Sequence, residues 1–162
     1  PGKTLFIVIE EGSSFDVSAA LLSKLIKQTI FAVSQDETKQ FLNGILLKTE
    51  GQRVTFVSTD GFRLALKSEM LESIASDISV IVPFKTMSEL LKILQVSPSD
   101  SLIKITVSSN QVSFRSDEFV LISRVIQGQF PAYNQVLPNE TLNQFKLDVY
   151  KEIKEKVKKI IN

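Results

Sequence analysis

The stretch Gln52-Arg53-Val54-Thr55-Phe56-Val57-Ser58-Thr59-Asp60-Gly61-Phe62-Arg63-Leu64-Ala65 decides the fold. Val54-Thr55-Phe56-Val57 alternates with a period of two, as a strand with one buried face does. Asp60-Gly61 reads as a two-residue hairpin turn whose central positions both need positive φ, so 62–68 is expected to return as the next strand. Upstream, Ile45-Leu46-Leu47-Lys48 is a strand that stops at Glu50-Gly51. The same order recurs downstream, where 102–107 alternates, turns at Asn110 and continues through 112–115 and 119–122. Gln111-Val112-Ser113-Phe114 echoes Gln52-Arg53-Val54-Thr55-Phe56, and Asp117-Glu118-Phe119 echoes Asp60-Gly61-Phe62 with one residue of slippage.

A helical period precedes each set of strands. Across 20–32, Leu22, Leu25, Ile26 and Thr29 fall on one side, with Ser23, Lys24, Lys27 and Gln28 opposite. Across 85–94, Met87, Leu90, Leu91 and Leu94 form the apolar stripe, opposed by Lys85, Ser88, Glu89 and Lys92. The element string is therefore strand, helix and three strands, twice over, in 15–70 and 77–126. The expected class is α+β: two βαβββ halves, each a sheet with one helix on a face, the helices packed together on one side and antiparallel sheets on the other. In 144–161 the pattern opens a third time. Phe145-Lys146-Leu147 is strand-like, and Val149, Ile153, Val157 and Ile160 then recur every three or four residues. The expected division is an unassigned flank at 1–13, one domain at 14–138, and at 139–162 a linker with the first strand and helix of a further domain that the chain does not complete.

The 162 residues are 43% hydrophobic and 23% charged, a globular mixture, and contain no His, Cys or Trp. Those absences exclude His-based triads, Cys nucleophiles, Cys/His zinc sites and disulfides. The net charge of +1 is unevenly spread. Residues 146–162 carry Lys146, Lys151, Lys154, Lys156, Lys158 and Lys159 against Asp148, Glu152 and Glu155, which leaves the rest mildly acidic. A dominant basic face for nucleic acid is absent, so any such contact must come from a few placed lysines. The run Leu5-Phe6-Ile7-Val8-Ile9 is too short to span a bilayer or serve as a signal peptide, so a soluble cytoplasmic chain is expected, with no membrane partner.

Short motifs add little chemistry. Pro1-Gly2-Lys3-Thr4 matches the end of a phosphate-binding loop but has no strand or upstream glycine before it. Asn139-Glu140-Thr141 is a chance glycosylation triplet. Asp36-Glu37, Asp60 and Asp117-Glu118 sit at expected turns, where Asp binds backbone N–H groups, and no cofactor is expected. Lys24, Lys27, Lys85 and Lys92 are either a solvated helix face or a surface for loose, sequence-independent contact with a phosphate backbone. A carboxylate-dependent metal hydrolase remains as a rival, needing at least three converging Asp or Glu.

Four ordered segments carry a family resemblance: Phe41-Leu42-Asn43-Gly44-Ile45-Leu46, Thr59-Asp60-Gly61-Phe62-Arg63-Leu64-Ala65, Ile81-Val82-Pro83 and Gly128-Gln129-Phe130-Pro131-Ala132-Tyr133. Over 14–138 the chain resembles the middle domain of the bacterial-type sliding clamp, the β subunit of DNA polymerase III. The resemblance implies a non-catalytic processivity factor. Two three-domain chains close head to tail into a ring around double-stranded DNA, with helices lining the hole and sheets outside. It implies partners in the replicative polymerase, the clamp loader and other proteins carrying a clamp-binding motif. A lone middle domain would not close the ring and would stay monomeric. The resemblance also implies a cleft for a short apolar-aromatic peptide, walled here by Leu42, Thr59, Gly61, Phe62, Arg63, Leu64, Pro131, Gln135 and Val136, and places Lys24, Lys27, Lys85 and Lys92 toward DNA. Phe62 stands where the family often has His, and Gln135 where Arg is common. A clamp-fold interaction module outside replication is the other reading.

Overall fold

A computed structural model describes residues 10–135, 137 and 155–157. The first half comprises β1 (Ser13–Ser18), α1 (Ala19–Lys27), β2 (Gly44–Glu50), β3 (Arg53–Thr59) and β4 (Leu64–Met70). The second comprises β5 (Ile78–Pro83), α2 (Phe84–Gln95), β6 (Leu102–Val107), β7 (Gln111–Arg115) and β8 (Val120–Arg124). The duplication read from the sequence is thus present element for element. The third unit expected in 139–162 lies outside the described residues except for one helical turn at 155–157.

The halves do not each keep their own sheet. The strand orders are β1-β6-β7-β8 and β4-β3-β2-β5, all antiparallel, so each half lends its opening strand to the other. Both exchanged ladders run on into the helix starts, whose first N–H groups lack intrahelical acceptors. Ala19 N donates to Ser101 O at 2.8 Å, just ahead of β6, and Phe84 N donates to Asn43 O at 3.0 Å, just ahead of β2. Each helix start is therefore anchored beside the other half's second strand, and the strand running into that helix pairs there. Ser18 also caps α1, its Oγ accepting from Leu21 N at 3.2 Å. An Ile81–Ile126 bridge, with Ile126 N donating to Ile81 O at 2.9 Å, joins the two sheets along the β5 side.

The main core lies between the helices and the inner faces of both sheets. Leu22, Leu25 and Ile26 from α1 and Met87, Leu90 and Leu94 from α2 meet Val54, Phe56, Val112 and Phe114 from the strands. The paired echoes Val54/Val112 and Phe56/Phe114 point into this single core. A smaller cluster sits on the outer face of the second sheet, where Leu46, Val57 and Ile81 are covered by Ile126, Phe130 and Tyr133. That cover explains why Ile45-Leu46-Leu47 is apolar without alternation: β2 is buried on both faces.

The hairpin turns differ from the sequence reading. Only glycines have positive φ among the described residues, and Asp60 is not one of these positions. The tight two-residue turn is instead Gly51-Gln52, with Glu50 opposite Arg53 and Gly51 at φ 61, as a type II′ turn requires. Thr59 pairs with Leu64, so 60–63 form a four-residue loop and Phe62 and Arg63 lie before β4 rather than in it. Side-chain hydrogen bonding outcompeted the short turn there.

Candidate functional site

The 60–63 loop is built by its own side chains. The Asp60 carboxylate accepts from Phe62 N at 2.9 Å, Arg63 N at 3.0 Å and Arg63 Nε at 3.1 Å. Thr59 Oγ1 accepts from Gly61 N at 3.1 Å and donates to Arg63 O at 2.7 Å. Burial pushes the Asp60 carboxyl up, but the two N–H groups and the guanidinium outweigh it and hold it below the ordinary carboxylate value. The charged form that orders the loop is therefore fully present above the ordinary value and is lost only as pH falls through the lowered one.

Arg63 is fixed from a second direction. Its Nη2 donates to Phe31 O at 2.7 Å, and its guanidinium lies 5.7 Å from the Phe31 ring centroid. Phe31 belongs to the 3₁₀ turn Ile30–Ala32 that follows α1. Ser58 Oγ donates to Thr29 O beside it, so the end of α1 and the loop are stapled together. Phe62 caps the arrangement at 80% exposure, a large apolar group left in solvent.

Leu42 reaches the same place from the 3₁₀ turn Gln40–Leu42. Asn43 holds that turn, its Nδ2 donating to Ser34 O at 2.8 Å and Asp36 O at 3.0 Å. Asp36 serves its own turn, accepting from Thr38 N and Thr38 Oγ1, and those bonds lower its carboxyl. The chain after β8 supplies the far wall, where Gly128 needs its φ of 138 and a Cβ would sit 3.3 Å from Phe41 Cβ.

The result is one open cavity of ≈ 350 Å³. Leu42, Thr59, Gly61, Phe62, Arg63, Leu64 and Pro131, named from the sequence, all line it. Gln135 does not: it is exposed at the end of the 3₁₀ turn Tyr133–Gln135. Val136 lies outside the described residues. Sequence reasoning missed Ala132, Tyr133, Leu137, Lys156 and Val157. The Pro131-Ala132-Tyr133 motif carried the signal for two of these, whereas Phe31 beneath Arg63 left none, because that contact joins residues far apart in the chain. Tyr133 stacks edge-on to Phe130, centroids 6.3 Å apart, and burial raises its phenol pKa. Chemically the cavity offers an apolar floor, the immobilised Arg63 guanidinium at the rim, a second cation in Lys156 and the exposed aromatic Phe62. That suits a short peptide with apolar side chains.

The four lysines are less uniform than expected. All are exposed, but Lys24 Nζ lies 2.9 Å from Glu69 Oε1 and Lys92 Nζ lies 3.5 Å from Glu89 Oε1. Lys27 and Lys85 form no ion pair among the described residues. Lys24 and Lys27 line a shallow groove between α1 and the end of α2, while Lys85 and Lys92 lie elsewhere on α2. Among the described residues no group of three carboxylates could hold a metal ion, and no helix is long and apolar enough to cross a membrane.

The family described as DNA polymerase III beta subunit, central domain, matches residues 16–132. The beta sliding clamp of Rickettsia bellii is 38% identical over 135 residues, covering 82% of this chain and 36% of the relative. That of Escherichia coli is 34% identical over 124 residues, covering 76% and 33%. The DNA polymerase III beta subunit of Thermotoga maritima superposes with a TM-score of 0.78 at 29% identity, covering 84% of this chain and 36% of that one. The Pseudomonas aeruginosa sliding clamp bound to griselimycin gives 0.74 at 33% identity, covering 83% and 37%. The chain thus spans about a third of the length of these relatives.

Proposed function

The chain belongs to the DNA polymerase III beta subunit family, over its central domain, and from that premise we propose that it works as part of a processivity clamp that performs no chemistry itself. In the whole protein, two chains form a ring, double-stranded DNA passes through it, and the helix side carrying Lys27 and Lys85 faces the phosphates loosely enough to slide. The replicative polymerase, the clamp loader and other proteins with a clamp-binding motif dock by an apolar-aromatic peptide in the cleft beside Arg63. The observation carrying this reading is the convergence of Leu42, Gly61, Arg63, Leu64 and Pro131, from three separate segments, on one cavity. Binding of a relative to griselimycin supports a ligand-accepting site in the family.

The experiment is a calorimetric titration of the chain with a five-residue peptide ending in Leu-Phe. Wild type is expected to bind. Leu64→Ala is expected to weaken binding about tenfold, about 1.4 kcal/mol. Equal affinity of the two proteins contradicts the assignment.

A further inference from the structure

A second groove of ≈ 430 Å³ runs over the outer face of β2 and β5. Leu46 and Ile81 lie beneath it, 5% and 4% exposed under the cover of Ile126, Phe130 and Tyr133, and the chain 126–130 forms its far wall. Val80 also lines it, although the Val80 side chain is turned into the core. The side of β5 away from β2 meets no strand beyond the Ile81–Ile126 bridge, and since Ile81 O turns to that side to accept from Ile126 N, the backbone groups of Ser79 face it too, whereas those of Val80 face β2. Among the described residues lining the groove Lys48 is the one that is charged, and its partner Glu50, 2.8 Å away, is not a lining residue.

The groove and the cleft share a wall, since Pro131, Ala132 and Tyr133 line both. Pro131 and Ala132 are exposed, so a chain leaving the cleft over this ridge enters the groove directly. We propose that the groove is a second subsite, which takes an extended, acidic segment flanking the peptide seated in the cleft. The segment's backbone lies along the edge of β5 at Ser79, an apolar side chain rests against Ile126 and Phe130, and a carboxylate faces Lys48. This inference rests on the cleft being a peptide site.

Three synthetic peptides test it by fluorescence anisotropy on the 162-residue chain: the five-residue Leu-Phe peptide, and that peptide extended by five residues with two Asp at either its N- or its C-terminal side. One extension is expected to bind about tenfold tighter than the short peptide, because tethering makes the second contact intramolecular. Ser79→Trp, at an exposed position in the groove, should return that peptide to the short peptide's affinity while leaving the short peptide unchanged. Lys48→Gln should remove most of the gain and its salt dependence, and it serves if the tryptophan variant does not fold. A short peptide that binds with no gain from either extension overturns the second subsite alone, as does a gain that survives both substitutions. An extended peptide that binds and is lost in Ser79→Trp, with no binding of the short one, supports the groove and overturns the cleft. Binding of none of the three overturns both.

Discussion

Gly44→Ala is expected to cost about 3 kcal/mol, a fall in Tm on the order of 10 °C for a chain of this size. Gly44 opens β2 opposite Pro83, the last residue of β5. A Cβ there would lie 2.3 Å from Val82 O and 2.9 Å from Val82 C, with Ile126 Cδ1 at 3.0 Å. The obstacle is backbone and cannot rotate away. Relief would require β2 and β5 to separate, and that ladder is the one through which the second half lends its strand to the first half's sheet. Gly51→Ala makes the contrasting case. Gly51 has positive φ but nothing within 4 Å of its Cβ, so only the left-handed penalty of about 1–2 kcal/mol applies. Thermal melts of the two variants should rank Gly44→Ala below Gly51→Ala. The reverse order would show that the β2–β5 approach is looser than described.

Phe56→Ala and Phe114→Ala are each expected to destabilise by about 3–5 kcal/mol, the range for removing a buried aromatic. Both rings are fully buried, one from each half, at matching places in β3 and β7. Phe56 lies opposite Leu47, and Phe114 opposite Ile105. Their losses should be similar because the two halves share one core. Phe62→Ala, removing a ring 80% exposed, should change stability by no more than about 0.5 kcal/mol. Denaturant titration of the three variants checks this. A Phe114 variant as stable as wild type would mean that the second half does not share the core.

The legible part of the fold was whatever depends on local periodicity. Leu22, Leu25 and Ile26, and Met87, Leu90 and Leu94, announce their helix faces at a spacing of three or four, and the echo of Val54 and Phe56 in Val112 and Phe114 announces the duplication. The strand exchange was not legible, because it is made of contacts between distant segments, from the β1–β6 and β2–β5 ladders to Ala19 N meeting Ser101 O and Phe84 N meeting Asn43 O. Asp60-Gly61 misled for a different reason. The dipeptide favours a two-residue turn, but the Asp60 carboxylate found three donors in a longer loop, and that network outweighed the local preference.

The site shows the same division. Leu42, Gly61, Arg63 and Leu64 belong to segments with recognisable motifs, and the fold gathers them. Phe31 has no motif, yet its carbonyl and ring set the direction of Arg63. Asn43 and Gly44 carry physical reasons that their motif alone did not reveal: one staples the 34–36 loop, and the other lets Val82 O approach.

The most direct test of the peptide-docking account is a map of amide chemical-shift changes when the ¹⁵N-labelled chain is titrated with the five-residue Leu-Phe peptide. The account predicts that the largest changes fall on Leu42, Gly61, Phe62, Arg63, Leu64 and Tyr133, with α1 and α2 little affected. Changes centred on the helices, or none at saturating peptide, would contradict it.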